Sequence, residues 1–167
     1  MIKDIPFLIV VFCIVLAIQI FGLSYAAVLN VTPDVTTIFL ALVGVTISQR
    51  ASASFGFIAG AILGIFSESS GMLIGWIMLA KTVEGFLAGY FNVPENSHAT
   101  AKQKTKRIYI AIIFAGFASS AIIAAVYNPL GFPPAIGIAA FGLLKSALTL
   151  VLAFIINLLF LKKILLD

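Results

Sequence analysis

The sequence predicts an all-α integral membrane protein with six transmembrane helices, and three observations lead to this fold class. The chain has 167 residues, of which 62% are hydrophobic and only 10% are charged, whereas soluble domains are about one quarter charged. Its apolar runs reach the length of about 20 residues that a membrane-spanning helix needs. Its basic residues cluster at the edges of those runs. A soluble domain of this size could not hide so much apolar surface from water.

Six apolar segments follow one another along the chain, and each is expected to be a helix. The first could also be read as a secretory signal, because Ser-Tyr-Ala follows it, but it is long for a signal core and more spans come after it. The second opens at Pro33, which favours a first helical turn, and is short for a hydrocarbon core of about 30 Å. The expected spans cover about 6–23, 34–48, 52–66, 71–91, 108–127 and 135–161.

The connections between these segments indicate the orientation of the chain. An even number of spans places both termini on one side, and the positive-inside rule assigns the side that is richer in lysine and arginine to the cytoplasm. The three connections on the other side contain neither residue type and hold Asp34 and Glu68. The sequence therefore predicts an N-in, C-in protein with a basic cytoplasmic loop at 92–107, whose cations are Lys102, Lys104, Lys106 and Arg107.

Glycines recur every fourth residue in the third and fourth segments. They are Gly56, Gly60 and Gly64 in one and Gly85 and Gly89 in the other. Lipid gives helices no hydrophobic reason to pair, so close backbone approach at small residues supplies the attraction. Two interpretations stay open: the glycine faces pack helices 3 and 4 together, or they dock a partner protein.

Charged residues stand inside two of the expected spans. Lys81 and Glu84 are three residues apart in the fourth span, where they can meet on one helix face, and Lys145 in the sixth span could approach or share Glu84. A lysine at the bilayer centre costs about 2.5–3.5 kcal/mol on the insertion scale, so this face is expected to look into the bundle. Either these residues form a polar clasp that fixes helix packing, or they form a site for a ligand or ion.

Catalytic and cofactor-binding patterns are not found in the sequence. No serine stands in a nucleophile elbow with a histidine partner, and no paired carboxylates or acidic metal motif occur. Cys13 and His98 are each the single residue of their type. The expectation is a protein that is not an enzyme, holds no metal or cofactor and does not bind nucleic acid, because it has no basic stripe with interleaved aromatic residues.

Residues 33–91 carry a resemblance to a known family. Pro33-Asp34 opens a short helix, Arg50 lies in the turn after it, and a glycine-rich third helix follows. The next helix closes in Gly-Phe-Leu-Ala-Gly at 85–89. This pattern resembles the rod shape-determining protein MreD family, whose fold is similar to that of energy-coupling-factor S components.

The resemblance implies a non-enzymatic subunit of the bacterial cell-elongation complex in the cytoplasmic (inner) membrane. Such proteins pair with the bitopic protein MreC and link the MreB filament to the glycan polymerase RodA and its penicillin-binding transpeptidase. The basic loop at 92–107 could then meet anionic lipid or a filament, or serve only as a topological anchor.

Two other functions remain open from the sequence. The first is a substrate-binding S component of a vitamin transporter, for which the candidate pocket residues are Tyr25, Asn30, Trp76, Tyr127 and Asn128. The second is a small channel or flippase that attracts an anion through Lys81 and Lys145, although no helix carries pore-lining polarity along its length.

Overall fold

The computed structural model describes residues 5–23, 27, 31–66, 74–94, 99–127 and 130–158. The regular elements in these ranges are helices, which we number α1 to α6 in chain order. A π-helical turn, Ile18–Gly22, continues α1, and a 3-10 turn, Gly89–Phe91, continues α4. The helices are α1 (Ile5–Ala17), α2 (Val35–Thr46), α3 (Gln49–Phe66), α4 (Ile74–Ala88), α5 (Ala101–Val126) and α6 (Pro134–Ile156).

Within the described residues, four helical segments are long and apolar enough to cross a membrane, which gives the chain its membrane-protein character. They are Ile5–Gly22, Gln49–Phe66, Ala101–Val126 and Pro134–Ile156. Helix α2 is apolar but has only 12 residues, which at about 1.5 Å per residue give about 18 Å. Residues 71–73, at the expected start of the fourth span, and 159–161, at the end of the sixth, lie outside the described residues.

The expected loop at 92–107 is wrong in its second half. Helix α5 begins at Ala101 and not at 108, so all four basic residues of that segment are helical. The start is fixed by a capping box, in which the Thr100 hydroxyl accepts from the Gln103 backbone N–H and the Gln103 side chain accepts from the Thr100 N–H. Apolar periodicity alone missed this start, because the first two turns are polar and a capping box acts independently of hydrophobicity.

Helix α2 lies at the centre of the bundle. It contacts each of the other five helices, and all of its residues are buried except Leu42 and Thr46. One of its faces packs with α1 and α3 through a group of three aromatic rings, Phe12, Phe39 and Phe55. The opposite face packs on α4, α5 and α6. The expectation that this short helix depends on its neighbours is consistent with this burial.

The outer surface of the bundle is apolar. On α1 the side chains of Ile9, Val10 and Ile14 are exposed, and on α6 those of Leu143, Val151 and Phe154 are exposed. Water would solvate such a surface poorly, whereas lipid tails match it. Beneath this surface, polar and charged side chains are buried, among them Asp34, Lys81, Glu84, Ser119 and Thr149, which makes the interior the place to look for function.

Candidate functional site

The buried charges of the bundle converge on Asp34, at the N-terminus of α2. Asp34 is the N-cap residue: its Oδ1 accepts a hydrogen bond from the backbone N–H of Thr37 at 3.3 Å and another from the Thr36 hydroxyl. Capping directs the carboxylate into the first turn of α2. Because α2 is short and central, that turn lies inside the bundle, and Asp34 is only 3% exposed.

Lys81 of α4 makes the closest charged contact with Asp34. The Lys81 Nζ lies 2.6 Å from Asp34 Oδ2 and 2.9 Å from Glu84 Oε2. It also lies 3.5 Å from the Thr37 hydroxyl. An ammonium group has three N–H donors, so each donor faces one oxygen. Lys81 and Glu84 therefore form the ion pair that their spacing predicted, together with an acidic partner that was not expected.

Lys145 of α6 approaches the cluster from the other side. Its Nζ lies 3.0 Å from Asp34 Oδ2. The sequence suggested that Lys145 would share or approach Glu84; instead, the carboxylate it pairs with in the described structure is Asp34. The group contains two carboxylates and two ammonium groups, which balance in charge, and we call Asp34, Lys81, Glu84 and Lys145 the ionic cluster.

Polar side chains of the π-helical turn after α1 and of α6 form hydrogen bonds with the backbone that leads into α2. In the π-helical turn after α1, the Gln19 side chain accepts from the Val35 backbone N–H at 2.8 Å and donates to the Pro33 carbonyl at 3.4 Å. The Asp34 N–H donates to the Thr149 hydroxyl at 3.1 Å. Non-helical backbone inside a membrane protein must be hydrogen-bonded by its neighbours, and these bonds meet that need.

Some buried polar atoms of the interior have no hydrogen-bond partner among the described residues. They are Glu84 Oε1 and the hydroxyl oxygens of Ser119, Ser146 and Tyr109. Ser146 follows Lys145 on α6, and its oxygen lies near the space beside Gly116 of α5, which the Thr37 methyl group also faces. The interior between α2, α5 and α6 is therefore polar beyond the ionic cluster itself.

The glycine faces meet each other inside the chain. A Cβ atom built on Gly60 would lie 2.5 Å from the Met78 Cα, and one on Gly64 would lie 2.8 Å from a methyl carbon of Ile74. Gly56 faces the Lys81 carbonyl. These distances leave no room for a side chain, so α3 and α4 touch backbone to backbone, and the contact at Gly56 also fixes the turn of α4 that presents Lys81.

Gly85 of α4 and Gly89 of the 3-10 turn complete this contact. A Cβ atom on Gly85 would meet the Ser52 carbonyl, and one on Gly89 would meet the Cα and side chain of Gln49. The predicted packing of helices 3 and 4 is present in the structure. Because all five glycines face the neighbouring helix, they are not free to dock a partner, and that alternative is wrong.

Asp34 is the member of the cluster that sequence reasoning missed. The expectation placed it in a connection outside the membrane, because it follows a proline and lies on the side without lysine or arginine. A signal was nevertheless present: a helix of about 18 Å cannot cross a core of about 30 Å. One end of α2 therefore had to lie at depth, and its N-cap residue was a candidate for a charged group inside the bundle.

Chemically, the ionic cluster is arranged as a clamp. One carboxylate, Asp34, joins α2 to α4 and α6, while Glu84 compensates the remaining ammonium charge.

Comparison of the chain with protein-family models, with curated proteins and with solved structures found no match.

Proposed function

We propose that the protein is a non-enzymatic, multi-pass subunit of the bacterial cell-elongation complex, similar to MreD. In this proposal it resides in the cytoplasmic membrane with both termini in the cytoplasm. It pairs with an MreC-like bitopic protein and helps to link an MreB-like filament to RodA and a penicillin-binding transpeptidase. The resemblance of residues 33–91 to the MreD family is the origin of the proposal.

The observation that carries the proposal is that the parts of this resemblance form one packed unit. The Pro-Asp pair that opens α2 reaches the middle of α4 through the ion pair between Asp34 and Lys81. The Ser52 hydroxyl of α3 donates to the Leu40 carbonyl of α2 at 2.8 Å. Gly44 of α2 lies against the backbone at Ala88. Residues of α2, α3 and α4 that are far apart within 33–91 therefore contact one another in the folded chain, as expected of a family signature.

The ionic cluster favours a structural role for the protein over the transport of a ligand. Its charges are balanced and its ammonium groups are held by carboxylates of the same chain, which is the arrangement of a clasp between helices. Of the aromatic residues considered for a vitamin pocket, Trp76 is 40% exposed and Tyr127 is 45% exposed, so both lie on the outer surface. Tyr25, Asn30 and Asn128 lie outside the described residues.

The structure also narrows the surfaces that a partner could use. The glycine faces are closed by the contact between α3 and α4, so a bitopic partner helix would have to dock on an outer apolar face. Among the described residues, α1 and the π-helical turn that continues it carry the two most accessible large hydrophobic side chains, Ile5 and Phe21, both 69% accessible. We therefore expect the MreC-like partner to leave the contact between α3 and α4 intact.

Affinity capture tests this proposal. The tagged protein is purified from solubilised membranes of its own bacterium, and the co-purifying proteins are identified by mass spectrometry. Recovery of MreC-like and RodA-like proteins is expected. Recovery of a coupling subunit with two ATPases would overturn the proposal in favour of a vitamin transporter. Depletion of the protein provides a second readout, since rod-shaped cells should lose their shape, and growth with unchanged rod morphology would also contradict it.

A further inference from the structure

One end of the bundle carries a group of cations that the described acidic residues do not neutralise. We call this group the basic end; its members are Arg50, Lys102, Lys104, Lys106 and Arg107. All are exposed except Lys104, which is half-buried. The acidic residues in the described ranges are Asp34 and Glu84, and both are buried in the ionic cluster. The charge of the basic end is therefore directed outward.

Contacts between three helices place these cations on one side of the molecule. The start of α3 touches the end of α4, because the Gln49 side chain donates to the Phe86 carbonyl at 3.0 Å. The start of α5 is tied to the same region, since an Arg107 guanidinium N–H donates to the Asn92 carbonyl at 3.0 Å. Arg50 and the first turns of α5 consequently share one end of the bundle.

The length of α5 places its basic turns beside the lipid headgroups. The helix has 26 residues, about 39 Å at 1.5 Å per residue, whereas the hydrocarbon core is about 30 Å thick. The part from Ile108 to Val126 is free of charged residues and long enough for that core. Tyr90, 68% exposed at the end of α4, is an aromatic residue of the kind enriched at the membrane boundary.

The stability of α5 does not account for these cations. Positive side chains in the first turns of a helix oppose its dipole, and the first turn of α5 contains no acidic residue. Lys102 and Lys106 are four residues apart, where like charges repel. An anion outside the chain would relieve both effects, and the nearest abundant anions at this height are lipid phosphates.

We propose that the basic end is a binding surface for the headgroups of anionic phospholipids in the membrane that surrounds the protein. Lys102, Lys106 and Arg107 contact the phosphates directly, and Arg50 extends the surface toward α3. Juxtamembrane lysines and arginines attract anionic lipid in this way. This inference rests on charge and geometry and does not depend on the proposed function.

Lipid competition measured by native mass spectrometry tests the inference. The purified protein, in a neutral detergent, receives equal amounts of phosphatidylglycerol and phosphatidylcholine with matched acyl chains. We expect phosphatidylglycerol to be retained preferentially. The double variant Lys102→Gln/Lys106→Gln should bind it about 25-fold more weakly, since each such cation contributes about fivefold. The control Lys102→Arg/Lys106→Arg keeps the charge and should keep the affinity.

Two results would overturn the inference. One is equal retention of the two lipids by the wild-type protein. The other is an unchanged phosphatidylglycerol affinity in the glutamine variant. If that variant at the same time loses the capture of an acidic cytoplasmic protein, the basic end is a protein-docking surface instead. Both substituted lysines are exposed, and their removal relieves the unfavourable dipole interaction and the repulsion between them. The variant should therefore unfold at or above the wild-type temperature in neutral detergent, so a loss of lipid binding is not a folding defect.

Discussion

Replacing Asp34 by asparagine removes the charge that joins three helices while keeping nearly the same shape. The amide oxygen of the introduced asparagine can still accept from the Thr37 backbone N–H, so the cap of α2 remains. The Lys81 and Lys145 ammonium groups lie 2.6 and 3.0 Å from the carboxylate in the wild type. In the variant, Glu84 would be the one carboxylate of the cluster left to balance both charges, and its contact is with Lys81. Removing one partner from a buried ion pair destabilises a protein by about 3–5 kcal/mol.

Thermal unfolding in detergent, followed by size-exclusion chromatography of a fluorescently tagged protein, measures this effect. A loss of that size corresponds to a decrease in Tm of roughly 6–20 °C for a chain of this length. The double variant Asp34→Asn/Lys145→Met restores charge balance, because it leaves Lys81 with Glu84 at 2.9 Å. The double variant should therefore unfold at a higher temperature than Asp34→Asn alone, although it also loses the Lys145 side chain.

Two outcomes would refute this reasoning: a Tm of Asp34→Asn equal to that of the wild type, or a double variant no more stable than the single variant.

The cluster also changes the expected result of exchanging Lys81 and Glu84. Pairing of these two residues alone would allow the exchange variant to fold better than either single variant. In the structure, Lys81→Glu places a carboxylate beside Asp34, so the exchange should give no rescue.

Two further comparisons use matched variants in the same unfolding assay. Gly60→Ala should destabilise the protein by about 1–3 kcal/mol through overpacking, because its Cβ would lie 2.5 Å from a backbone atom. The control Gly75→Ala has open space around the new methyl group and should be neutral. Equal effects of the two substitutions would exclude close packing as the role of Gly60. Thr149→Val should cost about 1–3 kcal/mol, because it leaves the Asp34 N–H unpaired. Ser146→Ala removes a hydroxyl without a partner in the described structure and should cost less. A Ser146→Ala variant that is the less stable of the two would contradict the hydrogen-bond assignment.

Hydropathy and spacing predicted much of the fold because both report on local chemistry. Apolar runs located the helices, and the four-residue spacing of glycines identified the contact between α3 and α4, since small residues at that interval line one helix face. The start of α5 was misplaced because the turns from Ala101 to Arg107 are polar. Their helical state depends on the capping box at Thr100 and Gln103, a signal that apolar patterning does not contain.

The ionic cluster was only half predictable for a different reason. Lys81 and Glu84 are three residues apart, so helix geometry alone brings them together. Asp34 and Lys145 come from different helices, and their meeting depends on how α2, α4 and α6 pack, which no local pattern specifies. The depth of Asp34 follows from the shortness of α2, but the identity of its partners follows only from the three-dimensional arrangement.

The central position of α2 has a consequence for how the protein is made. Asp34 is synthesised 47 residues before Lys81 and 115 residues before Thr149. At about 5–20 residues per second, the α6 partners emerge about 6–23 s after the aspartate. During that interval the nascent chain contains a 12-residue apolar helix that is capped by a carboxylate whose α6 partners have not yet been made. We therefore expect α2 to reach its final depth only after the last helix has been made, so truncation before α6 should leave Asp34 outside the hydrocarbon layer.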